Sequence, residues 1–561
     1  MAHEREPESL HVSSRMRCSS TDSMVSESSV TKLHDERTPL LQRQSSHALG
    51  EVEHLPTDDS TTTLRPRAIL ILILIVIAIF TLGDTISDTP QKRIFESIYC
   101  YKYWEEHDPT KLLVSRENVG PGAIGGVEEK WCKVASVQAD VAMLRGWQIF
   151  FDGIPSLLVA IPFGILADRI GRKPIVMLGI FSFILRISWM QFVCWFWQAL
   201  DLKLVWLSAL HGLMSGSSPV VTAIAITITS DVTDDRSRAT SFLFISASNM
   251  IMYFVGPPLG ALLMIINPWI PYFLSTLIYI IAALLFSLIP ETLGYTHPDL
   301  EQSARDRNSA PITTPIPDPL TTITAPLSLR RRLISTLSTF HTSTSFLYTD
   351  LRIALLVLPF VAIMLAGDAG EILLQYASTR FSISYATATL YISITAGCKV
   401  LVLLLLYPFA GHVLTSRLNY SGLRKDLTLA RWSMVVAALG WTLTGFTTSI
   451  PTFIAAELLV TLSYGGTSLT RSFVTGIVRK TDVAKLYTFV SVVETVALMA
   501  GAPAMAGLWE MGLRAGEAWY GLPFWVQGAV YAGVAVAIWG VGLRKGEDGE
   551  REEEGEREER V

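Results

Sequence analysis

The chain has 561 residues, of which 50% are hydrophobic and only 17% are charged, and its mean hydropathy is +0.39. An ordinary soluble domain is about 25% charged, so this composition indicates a protein largely surrounded by lipid rather than a series of aqueous domains. The formal net charge of -5 is set mostly by the tails. The sequence does not predict a basic surface of the kind that binds nucleic acid.

The chain begins with a polar segment, residues 1–65, whose Ser, Thr and Glu content predicts a disordered cytosolic tail. Within it, Glu36, Leu40 and Leu41 lie in the stretch ERTPLL. This stretch resembles an acidic dileucine sorting signal of vacuolar or lysosomal membrane proteins, which implies a sorting adaptor as partner. Motifs this short also arise by chance, so both interpretations stay open.

Twelve apolar stretches follow, and each is long enough for the roughly 20 residues of a membrane-spanning helix. We number these predicted spans 1 to 12: 68–87, 146–167, 174–196, 203–229, 241–266, 269–289, 352–374, 387–409, 429–448, 451–470, 486–509 and 522–542. Some are diluted by Gly and Ser, which is compatible with spanning because small residues let helices pack closely in lipid. We expect the first span to be an uncleaved anchor.

Polar segments divide the spans into two groups. Residues 293–350 predict a solvated cytosolic linker, and residues 544–561 predict an acidic cytosolic tail. Six spans in residues 66–292 and six in residues 351–543 then form two halves. The predicted fold is an all-α polytopic membrane protein with twelve transmembrane helices in two six-helix halves.

Lys and Arg near the span ends predict the orientation. The basic loops after spans 2, 4, 8 and 10 and the basic stretch before span 7 fall on one side, which we expect to be cytosolic together with both termini. The segment 89–140, on the opposite side, also holds many Lys and Arg among its acids and counts against this rule. The expected location is the plasma membrane or the vacuolar membrane.

The loop between spans 2 and 3 combines one acid and three bases with two glycines. Its key residues are Gly164, Asp168, Arg169, Gly171, Arg172 and Lys173. This pattern resembles motif A of the major facilitator superfamily, at the loop where that family has it, and the wider sequence resembles fungal members related to its proton-coupled folate and tetracycline-efflux branches. The resemblance implies two halves that rock about a central cavity and a cytosolic charge network around Asp168 that locks one conformation. The alternative is a charge run that only enforces topology.

The segment after span 4 resembles a second part of the same network. Asp231, Arg236 and Arg238 are similar to the acid and arginine pair that braces the neighbouring loop in the family. A plain solvated turn is the alternative.

Span 5 contains Gly256, Pro257 and Gly260, which are similar to the core of the antiporter motif C, a kinkable helical stretch. Met252 stands where that motif has an upstream glycine. The arginine that motif B expects in span 4 is also absent. The sequence therefore does not by itself predict drug efflux.

Ionisable side chains inside the spans are the candidates for substrate and proton contact. A charge at the bilayer centre costs roughly 2.5 to 3.5 kcal/mol on insertion scales, so each one needs a partner or a watery cavity. The candidates are Asp84, Asp152, Arg186, Asp368, Glu371, Lys399 and Glu494. Arg186 and Lys399 lie about midway along their spans, where such transporters bind substrate. Structural ion pairs and solvated helix ends are the alternatives.

Asp368 and Glu371 are three residues apart in span 7 and therefore share a helix face. Like charge and desolvation favour the neutral form of one of them, so we expect this pair to hold a coupling proton. Lys399 on the next span is the expected counter-charge, which would instead favour an ionised acid.

Cys100 and Cys132 both follow span 1 on the predicted non-cytosolic side, where oxidation is permitted, and they predict a disulfide. Cys194, near the same side, is the competing thiol. The sequence has no HExxH, GxSxG or Walker A motif and no metal-spaced His or Cys cluster, so we expect no enzyme activity, cofactor or metal.

The predicted function is secondary active transport of a small solute, coupled to protons. A non-transporting membrane receptor or sensor with the same fold is the alternative. The substrate, and the choice between import and export, stay open.

Overall fold

The structure is a computed structural model that describes residues 66–112, 119–233, 235–292, 351–478 and 483–542. The predicted sorting residues Glu36, Leu40 and Leu41 lie outside these ranges. The helix that contains Arg236 and Arg238 is described, but the side chains of these two arginines are not.

Each predicted span is helical, and the described ranges contain no strand. The first half contains Pro66–His107, Ala135–Ile170, Arg172–Trp195, Leu202–His211, Gly212–Ser215, Ser217–Asp231, Asp235–Ile266 and Trp269–Ser287. The second half contains Leu351–Leu355, Leu358–Arg380, Tyr385–Leu401, Val402–Leu406, Tyr407–Leu418, Gly422–Gly445, Ile450–Leu462, Gly466–Ile477, Val483–Ala515 and Leu522–Trp539. Short 3-10 turns are Pro109–Lys111, Pro121–Ala123, Glu129–Cys132 and Glu517–Trp519.

These helices form twelve rods that correspond to the predicted spans in the described part of the chain. Nine rods are long and apolar enough to cross a membrane, and a tenth qualifies if the pair Ala135–Ala160 and Pro162–Ile170, bent by 52°, is one span. The bend lies at Pro162, which removes a helical hydrogen bond. Span 9 is diluted by Arg431, and span 10 is split into two short helices, so neither reaches the same apolar length.

The segment 89–140 differs from the predicted loop, because span 1 continues as helix to His107 and span 2 already begins at Ala135. Acid–base pairs join the charged residues in the described part of this segment. Glu96 is fully buried and binds Arg93 at 3.0 Å and Lys133 at 2.7 Å. The basic residues that counted against the topology rule are thus partly neutralised by neighbouring acids.

The two ends of the helical bundle differ in the residues that they carry. The disulfide end carries the bond between Cys100 and Cys132, and the motif end carries residues 168–173, which join spans 2 and 3. The halves pack closely through spans 2 and 11, where a Cβ on Gly146 would lie 2.9 Å from the carbonyl oxygen of Ala502. Small residues therefore permit this contact between the halves.

Candidate functional site

Four charged side chains from both halves meet towards the disulfide end, and we call Asp88, Lys92, Arg145 and Glu371 the inter-half cluster. Lys92 Nζ lies 2.9 Å from Asp88 Oδ2 and 2.9 Å from Glu371 Oε2. Arg145 Nη2 donates to Asp88 Oδ1 and to Glu371 Oε2, both at 3.1 Å. Glu371 of span 7 is therefore held by two cations from spans 1 and 2.

Helical spacing and charge balance explain the inter-half cluster. Asp88 and Lys92 are four residues apart and lie on one face of span 1. The side chains of Lys92 and Arg145 are 4% and 13% exposed, and such burial of cations requires counter-charges. Asp88 and Glu371 supply them, so the four formal charges sum to zero.

Tyr385, the first residue of span 8, makes a second contact between the halves. Its backbone N–H donates to Glu129 Oε1 at 2.8 Å, and its hydroxyl donates to Gln138 Oε1 at 3.1 Å. Lys133 Nζ lies 4.0 Å from the centre of its ring. These contacts and the inter-half cluster hold the halves together on the same side of the molecule.

Glu129 lies in a turn outside the spans, and its charge is maintained by neighbours. Burial raises the pKa of the Glu129 carboxyl, but Arg93 at 3.4 Å and Lys133 at 3.2 Å outweigh burial, so its pKa is held below the usual value. The backbone N–H of Tyr385 acts in the same direction. Glu129 therefore stays ionised at neutral pH.

The disulfide fixes the turn that presents Glu129. Cys100 of span 1 and Cys132, the last residue of the turn Glu129–Cys132, are bonded, with Cα atoms 5.1 Å apart. Cys194, the competing thiol, is buried and free. The bond therefore links this turn to span 1, close to the contact with Tyr385.

Asp368 lies one helical turn before Glu371 but in a different environment. It is 2% exposed, and neither carboxylate oxygen has a hydrogen-bond partner among the described residues. It packs against Gly501 of span 11 so closely that a side chain there would collide with it. An ionised carboxylate without a partner is very costly in such a site, so the neutral form fits this conformation.

A cavity of about 310 Å³ lies between the halves, beside the inter-half cluster. Spans 1, 5, 7, 8 and the break in span 10 line it, and the hydroxyls of Thr89 and Thr389 meet at its wall, 3.1 Å apart. Lys399 also lines it, ten residues beyond Thr389, which corresponds to about 15 Å along the helix towards the motif end. We call this space the central cavity.

The expected pairing of Glu371 with Lys399 is wrong. Glu371 binds Lys92 and Arg145 of the other half, whereas Lys399 forms no ion pair among the described residues and lies over the ring of Tyr464, 5.4 Å from its centre. Proximity of two spans along the chain does not determine which faces meet, and here the first half supplies the counter-charges.

The candidates of the first half form a separate group. Arg186 Nη2 lies 2.8 Å from Asp152 Oδ2, and Tyr279 donates to Asp84 Oδ1 at 3.3 Å. Asp84 is exposed towards a cavity of about 180 Å³ inside this half. Arg186, unlike Lys399, is absent from the lining of the central cavity. The structure thus places the two mid-span cations in different environments.

Glu494 of span 11 is paired within the second half. Its Oε1 lies 2.5 Å from Arg471 Nη2 of span 10. It does not line the central cavity. Its observed role is an ion pair between neighbouring spans.

At the motif end, the observed contacts stay within the first half. Arg172 forms an ion pair with Asp231, and Lys173 Nζ donates to the carbonyl oxygen of Ser287 at 2.7 Å. Asp168 and Arg169 are exposed, and no described residue forms an ion pair with Asp168. Among the described residues, Asp168 thus has no ion-pair partner in the conformation in which the inter-half cluster is formed.

Gly171 and Glu291 shape the turn between spans 2 and 3. Gly171 has a φ of 110°, which favours glycine. The carboxylate of Glu291 accepts the backbone N–H groups of Arg172 and Lys173 at 2.9 and 3.1 Å, which suits the positive end of the helix that begins there. The sequence analysis did not single out Glu291.

The glycines of span 5 allow close contact with span 1. A side chain at Gly256 would collide with Thr85, and a Cβ on Gly260 would lie 2.5 Å from the carbonyl oxygen of Ile86. The helix continues through Pro257, which lines the central cavity.

Sequence analysis also missed Asp88, Lys92 and Arg145. Predicted span 1 ends just before Asp88 and predicted span 2 begins just after Arg145, because the bounds of each span were set where charged residues interrupt the apolar stretch. The sequence feature that could have identified Asp88 and Lys92 is the four-residue spacing of Asp84, Asp88 and Lys92. This spacing places the three side chains on one helix face and indicates that the helix continues beyond the apolar stretch. No group of three or more His, Cys, Asp or Glu side chains suited to a metal is found within the described ranges.

Comparison with known proteins gives a consistent result. A family model described as the Major Facilitator Superfamily matches residues 142–470. The MFS efflux pump atnC of Emericella nidulans is 29% identical over 537 residues, which cover 93% of this chain and 99% of that protein. The efflux pump ustT of Aspergillus flavus is 25% identical over 460 residues, covering 80% of this chain and 84% of its own.

Solved structures share the same architecture. The nucleoside transporter NupG matches with a TM-score of 0.54 at 13% identity, covering 84% of this chain and 98% of that one. A bacterial homologue of the human lysosomal transporter Spinster matches with a TM-score of 0.53 at 12% identity, covering 84% and 96%. At these identities the likeness concerns the fold alone.

Proposed function

Because this chain belongs to the major facilitator superfamily and is a multi-pass membrane transporter of the fungal type, we propose that it exports a small solute in exchange for protons. The observation that carries the proposal is the contrast between two neighbouring acids of span 7. Glu371 is bound by two cations of the other half, whereas Asp368 is buried with no partner among the described residues.

The proposed cycle alternates between two locks. We propose that the inter-half cluster closes the disulfide end and that Asp168, which forms no ion pair with a described residue here, takes part in the lock that closes the motif end. We take the motif end and both termini to be cytosolic, in the plasma membrane or the vacuolar membrane. The cavity around Lys399 would then be loaded from the cytosol. Export is proposed because two similar fungal proteins, atnC and ustT, are efflux pumps.

Asp368 is the proposed proton carrier. A proton on Asp368 removes the cost of a buried charge and so favours the closed disulfide end. Loss of the proton leaves Asp368 as an anion next to Glu371, without a partner among the described residues. Opening of the disulfide end lets water hydrate this anion and lowers the cost of its charge. Glu371 and Lys92 line both the small space around Asp368 and the central cavity, so they provide the route by which the proton leaves.

The test uses purified protein in sealed vesicles with an imposed pH gradient and a panel of labelled compounds. Asp368→Asn should abolish gradient-driven accumulation of any transported compound while preserving its exchange, because exchange needs no net proton movement. The matched control is Asp140→Asn, an exposed acid of span 2, which should accumulate like the parent. Full accumulation by Asp368→Asn would refute the proton role, and binding without flux across the panel would refute transport.

A further inference from the structure

The charges that line the central cavity are unequally compensated. Asp88, Lys92 and Glu371 belong to the inter-half cluster, where two acids and two bases satisfy one another. Lys399 lines the same cavity and has no ion-pair partner among the described residues. Lys399 is therefore the positive charge of this cavity that forms no ion pair with a described residue.

The surroundings of Lys399 include one acid and one aromatic ring. Glu457 of span 10 interacts with Lys399 electrostatically but forms no ion pair with it; it is 4% exposed and accepts a hydrogen bond from the Thr444 hydroxyl at 3.1 Å. Tyr464 lies beneath the ammonium group, 5.4 Å from Nζ to ring centre, and an aromatic face attracts a cation without neutralising it. A lysine at this depth of a membrane protein is costly unless an anion joins it.

The remaining lining is largely apolar and aromatic. Tyr253, Phe254 and Leu374 contribute rings and an aliphatic side chain, while Thr389 and Ser393 contribute hydroxyls. A volume of about 310 Å³ is at the lower end for pockets that hold drug-sized ligands, about 300 to 1,000 Å³. The lining thus suits a compact, mainly hydrophobic body with one charged group.

We propose that the transported solutes are amphipathic organic anions, whose carboxylate binds Lys399 and whose aromatic or aliphatic body packs against Tyr253 and Phe254. This inference rests on the proposed transport function, because it assigns the substrate class of the same cavity. The substrate carboxylate then forms the ion pair that Lys399 lacks among the described residues, without disturbing the inter-half cluster, which is already neutral.

The test measures binding of three compounds of nearly equal size to purified protein in nanodiscs by titration calorimetry. The probes are 1-naphthoate, 1-naphthamide and 1-naphthylmethylammonium. The parent should bind the carboxylate at least about tenfold more tightly than the amide, as for a hydrogen bond between charged groups, and the amine least. Lys399→Met should lose this preference, whereas Lys399→Arg should retain it.

The matched control is Lys203→Met, an exposed lysine outside the central cavity, which should bind like the parent. Equal binding of amide and carboxylate by the parent, or an unchanged preference in Lys399→Met, would overturn the anion site. Flux measurements in vesicles distinguish failure of the anion site from failure of the transport proposal. Compounds that bind at Lys399 but do not cross the membrane would count against transport. Neutral or cationic compounds that cross equally well in Lys399→Met would count only against the anion class.

Discussion

Glu371→Gln should open the disulfide end by removing the charge that two cations of the other half bind. Lys92 and Arg145 lie 2.9 and 3.1 Å from the same carboxylate oxygen. Both cations keep Asp88 as a partner, so no buried charge is left alone. Glu371 is also 34% exposed, which weakens its ion pairs by solvent screening.

The expected loss is therefore smaller than for a fully buried ion pair. We take about 1 to 2 kcal/mol for the contact between the halves, which changes the ratio of closed to open molecules by a factor of about 5 to 30. The fold should persist, because the contacts within each half are unchanged.

The assay uses a cysteine at Thr389, whose hydroxyl meets that of Thr89 of the other half, in a background with Cys194 and Cys398 replaced by serine. A membrane-impermeant maleimide, added at the disulfide end, should label this cysteine about 5 to 30 times faster in Glu371→Gln. The control is Glu517→Gln, an acid at the same end that is 83% exposed and pairs with Arg380 of its own half. Equal labelling rates in Glu371→Gln and the parent would refute the closing role of Glu371.

Three further predictions concern other parts of the molecule. Asp168→Asn should leave the protein folded but lower transport steeply, because it removes the acid proposed for the motif-end lock. Unchanged flux at an equal amount of protein at the cell surface would mean that the motif only sets the membrane topology. Cys100 and Cys132 should resist an external thiol reagent until a reductant is added, and labelling of both without reduction would contradict the bond in the native membrane. Burial raises the pKa of the Glu129 carboxyl, but Arg93 and Lys133 hold this pKa below its ordinary value of 4.5. The ionised carboxylate therefore stabilises the folded protein above pH 4.5, and this stabilisation is lost as the pH falls towards the pKa of Glu129 in the folded protein. Thermal unfolding below pH 4.5 should therefore depend less on pH in Glu129→Gln than in the parent, and identical pH profiles would contradict this role.

The twelve spans were predictable because apolar length is a local property of the sequence and lipid imposes helical structure on it. The halves followed from the polar linker, and the loop at residues 168–173 followed from its resemblance to a known motif. In each case the signal lies in consecutive residues, so no knowledge of packing was needed.

The partners of Glu371 could not be predicted in the same way. The sequence offered Lys399 on the next span, but the structure supplies Lys92 and Arg145 from the other half. Which faces of two helices meet depends on the packing of all twelve rods. The candidate acids of span 7 were therefore found from the sequence, whereas their separate roles required tertiary contacts.

In the proposed cycle, the difference between Asp368 and Glu371 links proton binding to movement of the halves. The contacts of Arg172 with Asp231 and of Glu291 with the backbone lie within the first half, so rocking of rigid halves leaves them intact. In this proposed movement, rocking instead separates Glu371 from Lys92 and Arg145 and exposes Asp368 to water. The ionised form of Asp368 is stabilised by hydration only after that separation. The proton on Asp368 and the ion pairs of Glu371 therefore favour the same closed state, and loss of either one favours opening of the disulfide end.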